Sequence, residues 1–185
     1  MRRVQAAALD LFEARGYDAV TIEDIARAAE VSAPTVYRNF GSKERIVLWD
    51  EYDPSLLDDV AARLATAPPL AAVRDALEAA LDRIYADDRD RILRRTRLLM
   101  RHPALRAASA GDQTGFRDAL AAVLRGRRAV PDELDAAVLA AAVVGALAVA
   151  VEHWERQDGK VALGTILRRA FARLEAPAAP RRRGR

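Results

Sequence analysis

Cysteine is absent from this chain of 185 residues, and histidine occurs only at 102 and 153. The missing thiols exclude a disulfide scaffold, a thiolate zinc site, a CxxC redox centre and a cysteine nucleophile. Two histidines leave little imidazole for a metal. HExxH, GxSxG, a glycine-rich phosphate cradle and a histidine beside paired carboxylates are missing too. Their absence argues against the enzyme alternative, an all-α hydrolase or transferase. No catalytic residue, metal or cofactor is expected. Met1-Arg2-Arg3 leads straight into a patterned helix, with no signal-peptide core. The longest charge-free stretch, 136–151, has 16 residues, short of the roughly 20 that a membrane span needs. It is rich in alanine and flanked by acids, so it reads as a buried helix. The expectation is a soluble cytoplasmic protein with no membrane partner.

What the chain does have is 51% apolar residues, ample for the core of one or two helical domains. Charge is nearly balanced, at 30 Lys+Arg against 27 Asp+Glu, and residues 1–48 hold seven of each sign. The last five residues, Arg-Arg-Arg-Gly-Arg, account for the whole positive excess. The basic balance is therefore a tail effect and poor evidence for a nucleic-acid partner.

Helical periodicity dominates and strand alternation is nearly absent, which makes the fold all-α. Val4, Ala8, Leu9, Leu11 and Phe12 line a first helix that stops at Gly16, a residue suited to a left-handed cap. Thr21 with Asp24 three residues on has the pattern of a capping box; Ile22, Ile25, Ala26 and Ala29 point inward from that second helix. Ser32 caps a third, with Pro34 in its first turn, and Gly41 ends it. Ser42 caps a fourth through Trp49. Longer helices follow: one from Pro54, then Leu70 to Ala86, Asp88 to His102, and Phe116 to Leu124 after a break at 109–115. The last two are a long apolar helix from Pro131 to about Gln157 and Leu163 to Leu174. The expected architecture is an N-terminal three-helix helix-turn-helix domain at 1–48, a helical bundle for ligand binding and dimerisation at 49–176, and a disordered basic tail at 177–185. That makes about nine helices in total.

The informative stretch is Thr21 to Lys43, TIEDIARAAEVSAPTVYRNFGSK. Two short helices joined by a four-residue turn, with apolar residues at 25, 26, 29, 31 and 36, have helix-turn-helix spacing. In such a motif the second helix offers its N-terminal end to the major groove. Lys43 is an odd choice for a first helical turn, where a cation opposes the dipole by a few tenths to about 1 kcal/mol. An anion bound there, such as a DNA phosphate, would reverse the sign; the plainer alternative is a solvated surface lysine. The candidate base readers are Ser32, Ala33, Pro34, Thr35 and Arg38. Alanine and proline can only pack on thymine methyls, while Arg38 can grip guanine bidentately, worth about 1–3 kcal/mol. Loss of Lys43 should instead weaken all sequences alike and lower the salt slope by about 0.9 per monomer.

Residues 1–50 resemble the DNA-binding domain of the tetracycline-repressor (TetR) family. The match rests on Ala7, Leu11, Phe12, Gly16, Tyr17, Thr21, Ile25, Ala26, Val31, Ser32, Thr35, Val36, Tyr37, Phe40, Ser42, Lys43 and Glu44. The resemblance implies Thr21, Thr35, Tyr37 and Lys43 on phosphates, residues 32–38 facing the groove, and a double-stranded DNA operator as partner. Three departures stand out. Glu30 occupies the position where the family usually has glycine, at a cost of about 1 kcal/mol if the turn is left-handed. Asn39 replaces a commoner histidine or tyrosine. The basic arm that often precedes the first helix has no counterpart in this sequence, so the expectation is a weaker affinity or a true start further upstream.

One recognition helix reads too few bases, and a two-fold dimer solves this by placing two of them about 34–36 Å apart. The helix at 132–157 carries Ala137, Ala141, Val144, Ala148 and Val151 on one stripe; the last helix carries Leu163, Ile166, Leu167, Ala170, Phe171 and Leu174. In the resembled family the final two helices form the dimer seam, which implies a homodimer here. The resemblance implies a variable ligand-binding domain for the segment between, and the candidate effector-lining residues are Trp49, Tyr52, Tyr85, Thr96, Met100, Phe116 and Trp154, each of which also suits plain core. His102 before Pro103 reads as a helix end. The stretch RILRRTRLLMRHPALRA, with Trp154 later, resembles the C-terminal domain of mycofactocin-type (MftR) regulators and implies an acyl-CoA-like small-molecule effector. The arginines at 94, 95, 97 and 101 could meet its phosphates or form a solvated face. The leading expectation is a ligand-responsive repressor; the alternative is the same fold used as a ligand- or protein-binding dimer without sequence-specific DNA binding.

Overall fold

The computed structural model describes residues 1–49 and 53–175, with the side chains of 53, 54 and 84–87 left out. Tyr52, the Tyr85 side chain and the basic tail at 177–185 lie outside the described residues. Among the described residues there are nine helices and no strand: α1 Arg2–Arg15, α2 Ile22–Ala28, α3 Ala33–Phe40, α4 Lys43–Leu48, α5 Asp53–Arg63, α6 Pro69–Arg101, α7 Pro103–Gly126, α8 Glu133–Arg156 and α9 Leu163–Glu175.

Two expected breaks are absent. α6 runs unbroken where the sequence suggested two helices, because nothing between Leu70 and Arg101 is proline or glycine and the charged residues at 87–91 are tolerable helix formers. α7 likewise continues through 109–115 although Gly111 and Gly115 each cost about 1 kcal/mol relative to alanine. Burial of Leu105, Leu120 and Leu124 on either side of the glycines outweighs that penalty.

The chain divides into two compact units, Met1–Glu51 with Asp88–Asp112, and Tyr52–Asp87 with Gln113–Arg185. The first unit therefore takes in residues that a linear boundary at 48 assigned elsewhere. Its core is Val4, Ala8, Phe12, Tyr17, Val20, Ile22, Ile25, Ala26, Ala29, Val36, Phe40, Ile46, Val47 and Leu105. α1 packs on α2 and α4, and α2 on α3. In the second unit α9 packs along α8; the buried residues are Ala136, Ala140, Val143, Ala150 and Trp154 on α8 and Leu163, Ile166, Leu167 and Phe171 on α9. α8 is long and apolar enough to cross a membrane by length and composition. The expectation that it is simply buried needs correcting: Leu134 is 70% exposed, and Val138 and Val149 are 59% exposed each.

Candidate nucleic-acid interface

The helix-turn-helix is built by its caps. The Thr21 side chain accepts from the Asp24 amide at 3.1 Å while Asp24 accepts from the Thr21 amide at 3.2 Å, the reciprocal box that the sequence predicted. α2 then closes through paired turns: the Glu30 amide donates to the Arg27 carbonyl and the Val31 amide to that of Ala26. This closure places Glu30 at φ 53, the left-handed region that favours glycine. Ser32 caps α3, its Oγ accepting from the Thr35 amide and lying 2.8 Å from Thr35 Oγ1. Gly41, at φ 77, ends α3 with its amide on the Tyr37 carbonyl.

α3 buries Val36 and Phe40 and turns its other side outward. At 100° per residue, Arg38 stands opposite the buried pair, with Pro34 and Thr35 beside it and Tyr37 at one edge. Ser32, Pro34, Tyr37 and Arg38 are exposed; Ala33 and Thr35 are part-buried. The Tyr37 hydroxyl donates to Glu23 Oε1 at 3.3 Å, which puts it beside the first turn of α2 and the exposed Thr21. Six of the eight candidate DNA contacts thus lie on the outer side of α2 and α3; Ala33 instead packs against the core of this unit, on the side of Val36 and Phe40, and does not face outward as a base reader would.

Lys43 departs from the expectation of a ready phosphate contact. Its ammonium turns inward, donating to the carbonyls of Tyr17 and Val20 at 2.9 Å each and resting 4.6 Å from the Tyr17 ring centroid. Two carbonyls and an aromatic face offset the unfavourable helix dipole, so the lysine needs no bound anion to account for it. Tyr17 is the hub of this corner. Its ring meets Phe12 and His102 at 4.9 Å, and its hydroxyl donates to Glu44 Oε1 at 2.7 Å.

The other bases of residues 1–48 are mostly engaged. Arg2 pairs with Asp88, Arg3 with Glu30, Arg15 and Arg27 with Asp24, and Arg45 with Asp112. Among the described residues Arg38 has no hydrogen bond or ion pair. These surface pairs are individually weak and can exchange onto phosphate, but Arg38 needs no exchange.

A family model for the bacterial regulatory proteins of the tetR family matches residues 5–48, and one for the MftR C-terminal domain matches residues 67–179. A Mycobacterium tuberculosis H37Rv protein described as the mycofactocin biosynthesis transcriptional regulator MftR is 31% identical over 178 residues, covering 91% of this chain and 85% of the relative. The chain belongs to the tetR family of transcriptional regulators. Its fold is also that of two fatty-acid regulators called FadR. The Bacillus halodurans structure has a TM-score of 0.64 at 21% identity, covering 100% of this chain and 96% of its own. The Thermus thermophilus one, in complex with lauroyl-CoA, has a TM-score of 0.61 at 22% identity, covering 99% of each.

In this tetR-family chain the first unit also holds a polar cluster that periodicity did not reveal. Gln5 is fully buried, and its amide nitrogen lies 2.9 Å from the Ile46 and Trp49 carbonyls and 3.3 Å from that of Val47. Arg91 donates to the Gln5 side-chain oxygen at 2.7 Å, and Arg95 adds a bond to the Trp49 carbonyl at 3.0 Å. The end of α4 is thereby held on side chains from α1 and α6. One signal was available: Gln5 sits in register with Ala8, Leu9 and Phe12 on an apolar stripe. Arg94 grips Glu13 and Asp10 of α1, so in the free protein both it and Arg95 are engaged with groups of the first unit rather than forming an open solvated face.

The candidate effector contacts are dispersed. Trp49 packs edge-on to Phe40 with ring centroids 6.3 Å apart, against the core of the first unit. Thr96 is buried and Met100 half-buried in that same unit, whereas half-buried Phe116 and fully buried Trp154 belong to the second. The dimer candidates also split. Ile166, Leu167 and Phe171 are buried within the protomer, where α9 packs on α8. Ala137, Ala141 and Leu174 are exposed; Val144, Ala148, Val151 and Ala170 are part-buried. Leu134, Val138 and Val149 were missed, although their spacing continues the stripe through Ala141 and Gly145.

Proposed function

We propose that this chain is a homodimeric, ligand-responsive repressor that reads a palindromic operator with α3 and leaves it when a small hydrophobic or acyl-CoA-like effector binds. One observation carries the DNA half of this reading: α3 is anchored by Val36 and Phe40 while Arg38 stands unpaired at the centre of its outer side. An unpaired guanidinium flanked by small residues suits a guanine edge in the major groove. Thr21, Thr35 and Tyr37 supply hydroxyls for the flanking phosphates, and Lys43 has one ammonium hydrogen left for a phosphate after its two carbonyls.

The dimer is supported by the exposed apolar side of α8. Leu134, Val138, Ala141, Gly145 and Val149 form a continuous stripe. A stripe of this kind left in water is unusual in a soluble protein and fits a self-complementary two-fold seam. The acyl-CoA class is supported by the MftR-type match at 67–179 and by the lauroyl-CoA named with the Thermus thermophilus relative in fold. A cytoplasmic location goes with such a role.

The deciding experiment pairs light scattering with a mobility shift on the DNA flanking the protein's own gene, with and without lauroyl-CoA. A dimer that shifts one site and releases it on addition of the thioester supports the whole reading. A stable monomer at micromolar concentration overturns the dimer. A dimer that shifts no DNA fragment, or every fragment alike, supports the ligand- or protein-binding alternative.

A further inference from the structure

Asp24 attracts both guanidiniums of its neighbourhood, Arg15 at 3.3 Å and Arg27 at 3.2 Å. Glu23, the preceding residue in the same turn and more open to solvent than Asp24, receives neither. Among the described residues its carboxylate forms no ion pair, and the contact found on it is the Tyr37 hydroxyl at 3.3 Å, reached across from α2 to α3. Tyr37 is 46% exposed and is the exposed aromatic residue among those described. An unneutralised acid thus stands on the edge of the face that the proposed function turns toward DNA.

A phenol has one proton to donate. While that proton points at Glu23, the oxygen shows only lone pairs to an arriving phosphate. If the proton moves to the phosphate, Glu23 loses its donor and faces a second anion at most about 6 Å away, the sum of the present contact and a new hydroxyl bond of about 2.7 Å. We propose that Glu23 is a positioning residue that competes with the DNA backbone for the Tyr37 hydroxyl and so holds operator affinity below what α3 alone would give. The proposal rests on the reading of the outer side of α3 as the DNA face. Partial desolvation, and after it the nearby Glu23 charge, holds the Tyr37 phenol above the ordinary tyrosine value, in keeping with a proton drawn toward Glu23.

The size follows from the charge separation. Two unit charges about 6 Å apart in a medium close to water repel enough to change binding about threefold, hence about tenfold for a complex with two copies. A device of this size sets affinity without abolishing it.

The test is a cycle on the full-length protein: Glu23→Ala, Glu23→Gln, Tyr37→Phe and the two double variants. Binding to the DNA flanking its own gene is read by fluorescence anisotropy at several salt concentrations. Glu23→Gln, which drops the charge but keeps an acceptor, should tighten binding about tenfold, and Glu23→Ala, which removes the competing acceptor as well, by at least as much. In the Tyr37→Phe background most of the gain should vanish. An equal gain in both backgrounds would mean a plain charge effect and overturn the proposal, as would no gain at all. Thermal melts check that each variant folds; the Thr21–Asp24 cap of α2 is untouched by these changes. If the unmodified protein binds no DNA, the proposed function falls and this inference falls with it. Binding without coupling removes only the inference.

Discussion

The hydroxyl of Tyr17 donates to Glu44 Oε1 at 2.7 Å, and the two partners titrate away from one another. Burial would raise the Glu44 carboxyl, but bonds from Ser42 and Tyr17 outweigh it and hold it below the ordinary range. Burial first, and then Glu44 itself, pushes the Tyr17 phenol well above its ordinary value. A depressed carboxyl gives stability that is present above its unfolded value, about 4.3, and lost as pH falls through the folded one. A raised phenol gives stability that is present below about pH 10 and lost as pH climbs toward its folded value. Urea midpoints measured across pH should therefore fall at both extremes. Tyr17→Phe should flatten the alkaline limb and shrink the acid one. An alkaline limb identical in the two proteins would refute the assignment.

Lys43 should act first on stability. Lys43→Met strips the charge from two carbonyl contacts and is expected to cost about 1–3 kcal/mol of unfolding free energy, read by denaturant titration. The opposite pattern, unchanged stability with a salt slope lowered by about 0.9 per monomer, would restore the lysine as chiefly a phosphate ligand.

Lys43 also marks where sequence reading stops. A cation in the first turn of α4 is visible as a local anomaly, but the carbonyls that satisfy it come from the loop between α1 and α2, 23 and 26 residues away. Local signals were reliable: Thr21 with Asp24, Ser32, Gly16 and Gly41 all cap as their types and spacings imply, because a cap is an interaction within four residues. Gln5 was missed because its partners at Ile46, Trp49 and Arg91 lie 41 to 86 positions along the chain. The buried side of α9 was ambiguous for a related reason. An apolar stripe says that something covers it, not whether the cover is α8 of the same chain or a second copy.

Glu30 carries a backbone penalty that glycine would remove. At φ 53 its Cβ crowds the following carbonyl, and the exposed pair with Arg3 at 3.6 Å returns little. Glu30→Gly should raise unfolding free energy by about 0.5–1 kcal/mol, after allowing for the greater freedom of glycine in the unfolded chain. Arg128→Gly, at φ 52 after α7, should do the same, since its amide and that of Ala129 repeat the closure seen at Glu30. A melting temperature that falls in both variants would show that the left-handed turns are not strained.

Arg38 should act on sequence preference, whereas phosphate contacts act on every sequence alike. Its unpaired state in the free protein means that no ion pair has to be broken before it meets a base, so its whole contribution appears at the base pair it reads. Arg38→Ala is expected to erase a preference of about 1–3 kcal/mol at one G·C pair in each half-site, with little change at other positions. The measurement is a panel of operator variants, each with one base pair replaced, titrated against both proteins at fixed salt. Flattening confined to one symmetric pair of positions identifies the guanine. A uniform loss across the panel would place Arg38 on the backbone and leave the specificity of α3 to Ser32, Pro34 and Thr35, whose contacts are weaker and whose operators would be correspondingly degenerate.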